Sequence, residues 1–186
     1  MRERTLFYGS AVKWTVHGER SLYESPWVAL HLADVEVPGG ERFDHHVIRS
    51  TRPAVGLVVE VDGSFLLLWR HRFITDAWGW EIPCGGVERG ESLADAARRE
   101  TIEETGWVPG AVTPLLGFDA MNGICDQRIE VFHASSATKG GPPTDSAESS
   151  RIDWVSREQA YAALRQGDIR DGTTATALLA CHVLRP

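Results

Sequence analysis

The chain has 186 residues, enough for one domain with a sizeable core, and its 42% hydrophobic and 24% charged residues are ordinary for a globular protein. Nineteen Lys and Arg against 26 Asp and Glu leave a net charge of −7 with no basic stripe, which excludes a nucleic-acid polymer as partner, because binding along a phosphate chain needs many cations. No apolar run is long enough to cross a membrane, and the N-terminal MRERTLFYGSAVKW lacks the stretch of a signal peptide, so no membrane partner is expected.

The elements follow in chain order. Residues 12–50 hold β-rich runs at Val12–Val16, Trp27–Val35 and Phe43–Ile48, with Pro38-Gly39-Gly40 turning the chain between the last two. They predict a small antiparallel appendage, residues 1–50, ahead of a main domain over 51–186. Residues 53–72 read as a hairpin, two apolar runs joined at Asp62-Gly63. The core continues through Trp80–Pro83, a helix over Leu93–Thr105, and strands near Val112–Phe118 and Arg128–Ala134. Residues 135–150, SSATKGGPPTDSAESS, read as an exposed loop. Ile152–Val155 is a short strand, Ser156-x-x-Gln159 caps a helix running to about Arg165, and a last helix spans Asp171 to Val183. This mixed order predicts an α/β (α+β) architecture, α/β/α layers about a mixed sheet.

Cys84, Cys125 and Cys181 are odd in number and contain no CxxC pair, which argues against a disulfide framework or a zinc site and for a reducing, cytoplasmic setting. His45-His46 has no partner at metal-ligand spacing and reads as a surface or interface pair.

The most informative stretch is 85–107, GGVERGESLADAARRETIEETGW. On a helix, Glu100 and Glu104 lie one turn apart on one face with Glu103 beside them, and three like charges so close repel. A hard cation such as Mg²⁺ would relieve the repulsion, since it takes carboxylate oxygens and completes its shell with water and phosphate. A solvated acidic face is the bland alternative, but it leaves unexplained the Gly85-Gly86 pair, Glu91 and the Arg99-Glu100 doublet. The glycine pair is read as a tight turn that lets the backbone approach a ligand. Ser92, with Asp95 three residues on, resembles a capping box, and Gly106 suits the left-handed position after the helix.

Gly85, Glu91, Arg99, Glu100, Glu103, Glu104 and Gly106 match every fixed letter of the Nudix box, G-x5-E-x7-R-E-U-x-E-E-x-G-U, where U is apolar. Trp107 fits the last U and Thr101 departs at the first. The segment is thus identified as that of a Nudix hydrolase. The N-terminal strands, Arg70-His71-Arg72, Trp80-Glu81-Ile82-Pro83 and Gly167-Asp168-Ile169-Arg170-Asp171 resemble the ADP-ribose pyrophosphatase branch. The resemblance implies the Nudix α/β/α sandwich and hydrolysis of the pyrophosphate of ADP-ribose or a nucleotide sugar to a nucleoside monophosphate and a sugar phosphate. It also implies a homodimer formed through the N-terminal strands.

In that reading Glu100, Glu103 and Glu104, with the backbone carbonyl of Cys84 or Gly85, hold Mg²⁺, with Mn²⁺ as a substitute, and a metal-bound water attacks phosphorus. Arg99 orients the carboxylates, and Glu91 supports the loop or a further metal. Arg72 is a phosphate clamp or a solvated strand end, and Gly86 lets substrate approach. Trp78 stacks on a base or serves the core, and Trp80 is the weaker stacking candidate. ADP-ribose pyrophosphatases carry a catalytic Glu after the box in a phrase like Pro-Gly-x-x-x-Glu. Here Asn122 replaces the proline and Gln127, an amide that cannot accept a proton, stands where the base is expected. Asp126, Gln127 and Glu130 are the loop candidates, with Glu103 able to act from the helix. Two other readings stand: a Nudix hydrolase of nucleoside triphosphates or NADH, and a weakly active nucleotide-sugar-binding module.

Overall fold

The computed structural model describes residues 12–145 and 149–185; the start of the predicted appendage, residues 146–148 of the predicted 135–150 loop and the final proline lie outside the described residues. The chain forms two compact units, the first containing residues 12–51 with Gly123–Asp126, the second Arg52–Asn122 with residues 127–185.

In the first unit β1 (Thr15–Glu24), β2 (Val28–Glu36) and β3 (Arg42–Ser50) form an antiparallel sheet in that order. The turn after β2 closes where expected, with Gly39 at φ 68°, a conformation L side chains avoid. The first expected run, Val12–Val16, is only the entry to β1, which continues through Gly18-Glu19-Arg20-Ser21 to Glu24. Two register shifts break its alternation and every residue of β1 is exposed, so no period-2 pattern marks the strand in sequence. Gly123–Asp126 runs along β3: the Ile48 N–H donates to the Ile124 carbonyl at 2.7 Å and Ile48 bridges Cys125 in parallel.

The second unit is built on a seven-stranded mixed sheet. Its main path runs β12 (Arg151–Ser156), β5 (Ser64–Arg72), β4 (Ala54–Val61), β10 (Arg128–Ala134), β9 (Thr113–Asp119). β6 (Ala77–Glu81) pairs with β5 and β7 (Cys84–Gly86) with β4. Only β10 and β4 run parallel among these pairs. The β4–β5 turn is tight, with Asp62 at φ 48° and Gly63 at φ 72°, the geometry that Asp-Gly supplies for a hairpin.

Alternating residues of the central strands feed two cores. Val55, Leu57, Val59 and Leu66 pack with Ala96 and Ala97 of α1 (Leu93–Thr105). Val58, Phe65 and Leu67 pack with Ala160 and Ala163 of α2 (Arg157–Gln166) and with Ala177, Leu178 and Cys181 of α3 (Gly172–Leu184). The result is the expected α/β/α layering, with three helices among the described residues.

Two expectations change. Residues 135–150 are not wholly loop: β11 (Ala137–Lys139) pairs with β8 (Trp107–Pro109), a pairing hidden by polar residues on so short a strand. Gly85 and Gly86 do not form a turn but the end of β7, opposite Val55 and Ala54.

Candidate active site

Helix α1 starts and stops as its sequence dictates. The Ser92 hydroxyl accepts from the Asp95 N–H, and Gly106, at φ 69°, donates its N–H to the Ile102 carbonyl. Thr101, the polar residue at an apolar box position, is fully buried and returns its hydroxyl to the Ala97 carbonyl at 2.8 Å, so the packing tolerates it. This fixed helix presents Arg99, Glu100, Glu103 and Glu104 toward β7 and the loop that follows it.

Arg99 is the hub. It binds Glu91 through Nε at 3.0 Å and Nη2 at 3.1 Å, Glu100 and Glu103 through Nη1 at 2.9 Å each, and the Gly86 carbonyl at 3.0 Å. One guanidinium thus ties Gly86 and Glu91 to the two helix carboxylates Glu100 and Glu103. The Arg99 hydrogen bonds hold the Glu91 carboxyl below the usual carboxylate range. Glu100 lies against Gly85 so closely that a methyl group there would overlap its carboxylate, which is why this position of β7 is glycine.

Glu104 is 3% exposed. It accepts from Arg70 at 2.7 Å and from the Cys84 N–H at 3.1 Å. Burial still outweighs these donors and pushes its carboxyl up to about 7, with Glu100 adding to the rise. Arg70 lies 3.9 Å from Glu81, itself bound by Arg72. Burial also raises the Cys84 thiol to about 12, so that sulfur is no nucleophile near neutral pH. Buried Arg70 and Glu81 stood in sequence only within the phrases Arg70-His71-Arg72 and Trp80-Glu81-Ile82-Pro83, and their place in the network was not visible, because their partners come from a helix and a neighbouring strand.

The network holds five carboxylates, Glu81, Glu91, Glu100, Glu103 and Glu104, against three guanidiniums, Arg70, Arg72 and Arg99. With all ionised, two negative charges remain, which suits a divalent cation. Among the described residues no three ligand side chains form a ready-made cage, since Arg99 sits between the carboxylates. The residues therefore fit a hard divalent cation by charge and donor chemistry, with Glu100 and Glu103 exchanging part of their Arg99 contact for it.

A cavity of about 610 Å³ adjoins the network, lined by Arg72, Glu81, Trp78, Ile74, Met121 and Arg170 among others. Arg72 lies at its wall but is held by Glu81 in a bidentate pair. Trp78 is 49% exposed and stacks on Trp69, centroids 6.2 Å apart and planes 14° from parallel, with His71 tilted against it at 5.3 Å. Trp80 is tilted against Trp69 with Arg151 over its ring and does not line this cavity.

The loop candidates are engaged elsewhere. Asp126 accepts from the Ser50 N–H at 2.8 Å and from Arg49 at 3.1 Å within the first unit. Burial alone would raise its carboxyl, but these two donors bring it below the ordinary value. Glu130, on β10, pairs with Arg128 at 2.9 Å and lies over Gly117. Gln127 is half-buried. The 135–150 segment is closer to the box than its composition suggests: the Thr144 and Asp145 N–H groups donate to the Glu103 carbonyl at 2.9 and 3.1 Å. A run of Ser, Gly and Pro gives no hint of that attachment.

An acidic helix, a glycine strand kept bare for a carboxylate, and an adjoining cavity define a phosphate-cleaving hydrolase of the α/β/α type. The chain matches the NUDIX domain over residues 50–176 and the nucleoside diphosphate sugar hydrolase N-terminal domain over residues 14–48. It belongs to the Nudix hydrolase family and is a pyrophosphohydrolase. It is similar to the CMP-5'-(N-acetyl-N-hydroxy-3-aminopropyl)phosphonate hydrolase of Streptomyces rubellomurinus (strain ATCC 31215), 37% identical over 169 residues, 91% of this chain and 82% of that one. It is also similar to the ADP-ribose pyrophosphatase of Bacillus subtilis (strain 168), 25% identical over 162 residues, 86% of this chain and 88% of that one. A crystal structure of an ADP compounds hydrolase shares the fold with a TM-score of 0.84 at 20% identity, covering 95% of this chain and 96% of that one. Nudix hydrolases generally use divalent metal cations.

Proposed function

We propose that the chain is a Mg²⁺-dependent hydrolase of a nucleoside diphosphate joined to a sugar or sugar-like group, releasing a nucleoside monophosphate and the phosphorylated second group. The observation that carries this reading is the five-carboxylate, three-guanidinium network, whose surplus of negative charge lies around Arg99 on the box and which reaches the cavity through the Glu81–Arg72 pair. The cation, when bound, supplies an activated water and charge neutralisation for the pyrophosphate oxygens.

Glu100, Glu103 and Glu104 hold that cation, with the Cys84 or Gly85 carbonyl as a further donor, and Mn²⁺ is expected to substitute. Arg99 and Glu91 keep the three glutamates and the loop in register. Glu103 takes the proton from the attacking water: its side chain is 42% exposed, against 16%, 17% and 4% for Glu91, Glu100 and Glu104, and it stands on the box helix itself. Arg72 is positioned by Glu81 to meet phosphate, the backbone at Gly86 faces substrate, and Trp78 offers a ring to the base.

Two relatives that match across most of the chain act, by their names, on a CMP-linked phosphonate and on ADP-ribose, which favours a nucleotide joined to a second group over a free triphosphate. The same reading gives residues 1–50 a role in homodimer formation and the protein a cytoplasmic location. The test is product analysis after incubation with Mg²⁺ and ADP-ribose, CDP- and UDP-linked sugars, NADH and nucleoside triphosphates. Release of a nucleoside monophosphate from a sugar-linked member is expected. Cleavage of triphosphates alone would overturn the substrate class, and binding without cleavage of any member would overturn the reaction.

A further inference from the structure

The turn Gly167–Asp171 ahead of α3 is fastened to β6 by its backbone. The Asp168 carbonyl accepts the Trp80 N–H at 2.8 Å, and Gly79 leaves room for that approach, since a methyl there would come within 3.2 Å of the same carbonyl. Ile169 is 5% exposed and belongs to the core, and Asp171 caps α3 by accepting from the Thr174 N–H at 2.7 Å. Residue 170 is therefore held between two anchored neighbours, on the wall of the cavity that Trp78 and Arg72 also line.

The two cations of that wall differ. Arg72 is committed to Glu81 by three contacts of 2.5 to 3.2 Å. Arg170 is exposed, and among the described residues its guanidinium has no carboxylate or hydrogen-bond partner. Its neighbour Asp171 has turned its Oδ2 to Thr174 instead. A cation on a fixed backbone, facing a cavity and left without an internal anion, is available to an anion of the ligand.

We infer that Arg170 is a specificity-determining residue that binds a carboxylate on the group joined to the nucleoside diphosphate, so that the pocket prefers a sugar acid over the neutral sugar. The inference rests on the proposed substrate class. One free guanidinium matches the single charge and planar fork of a carboxylate. A second phosphate would call for more than one cation, and Arg72 is assigned to the pyrophosphate itself.

The test is calorimetric binding of UDP-glucuronate and UDP-glucose, which differ by one carboxylate, to the full chain in chelator, so that no turnover is needed. The wild-type chain is expected to bind the acid about tenfold tighter, the factor expected of one charge-assisted pair. Arg170→Gln is expected to erase that difference, and Arg170→Lys to restore part of it. An acid bound no tighter than the neutral sugar, or a preference that survives Arg170→Gln, overturns the inference. Because binding is read without metal, a failure of hydrolysis in the product assay is a separate result.

Discussion

Gly85 shows how one missing atom can set a site. Its position on β7 faces the Glu100 carboxylate, and α1 cannot draw back because Ala96 and Ala97 are at 0% and 1% exposure against the sheet. Gly85→Ala is expected to push Glu100 out of place and lower kcat by about a hundredfold or more, the order of loss that a misplacement near 1 Å brings, with the circular dichroism spectrum unchanged. Turnover within a few-fold of wild type would mean that Glu100 swings freely. Local signals of this kind were partly legible. The Ser92 cap and the Gly106 stop depend on neighbours within four residues and the box letters share one 23-residue stretch, so sequence shows them. The contacts of Arg70 with Glu104 and of Arg72 with Glu81 join residues 34 and 9 positions apart across separate elements, and no spacing rule announces them. The reason for glycine at 85 likewise became visible only with Glu100 in place.

At the scale of elements, the C-terminal end of α1 and the 135–150 segment hold each other. Gly106 combines a left-handed φ of 69° with close approach of the Gly141 carbonyl. Gly106→Ala is expected to cost about 1–3 kcal/mol, read from the urea midpoint, since both strain and collision act against it. A change under about 0.5 kcal/mol would show the segment yielding instead. On β10, His133 is 5% exposed and lies 3.5 Å from Glu60. Burial, then Arg185, hold its pKa below the ordinary 6.5 against the pull of Glu60. The unfolded chain therefore takes up a proton near pH 6.5 that the fold resists, and this contribution to stability is lost as pH falls from 6.5 through the lower folded value. His133→Gln should flatten the fall in stability between pH 7 and 5, and an unchanged slope would contradict that origin. The hairpin at Asp62-Gly63 and the strands that alternate in burial were readable in sequence because their signals are periodic. Most of β1 and all of β11 were not, because bulges or exposure remove the period.

At the scale of the whole molecule, charge and exposed surface define the predictions. No helix among the described residues is long and apolar enough to cross a membrane. The N-terminal unit leaves Trp14, Tyr23, Trp27 and Phe43 at 39% to 79% exposure, apolar surface that the proposed dimer would cover. In light scattering the chain is expected at twice its 20.5 kDa mass, with Trp27→Ser plus Phe43→Ser shifting it toward the single-chain mass, and a wild-type monomer would remove the dimer proposal. The central claim is that the acidic network exists to hold a divalent cation for pyrophosphate cleavage. The most direct measurement follows nucleoside monophosphate release from ADP-ribose as Mg²⁺ is titrated into the metal-free wild-type chain and into Glu104→Gln. The account predicts saturable, Mg²⁺-dependent release by wild type and a loss of about a hundredfold or more in the folded variant; release that persists in chelator, or at an unchanged rate in Glu104→Gln, would contradict it.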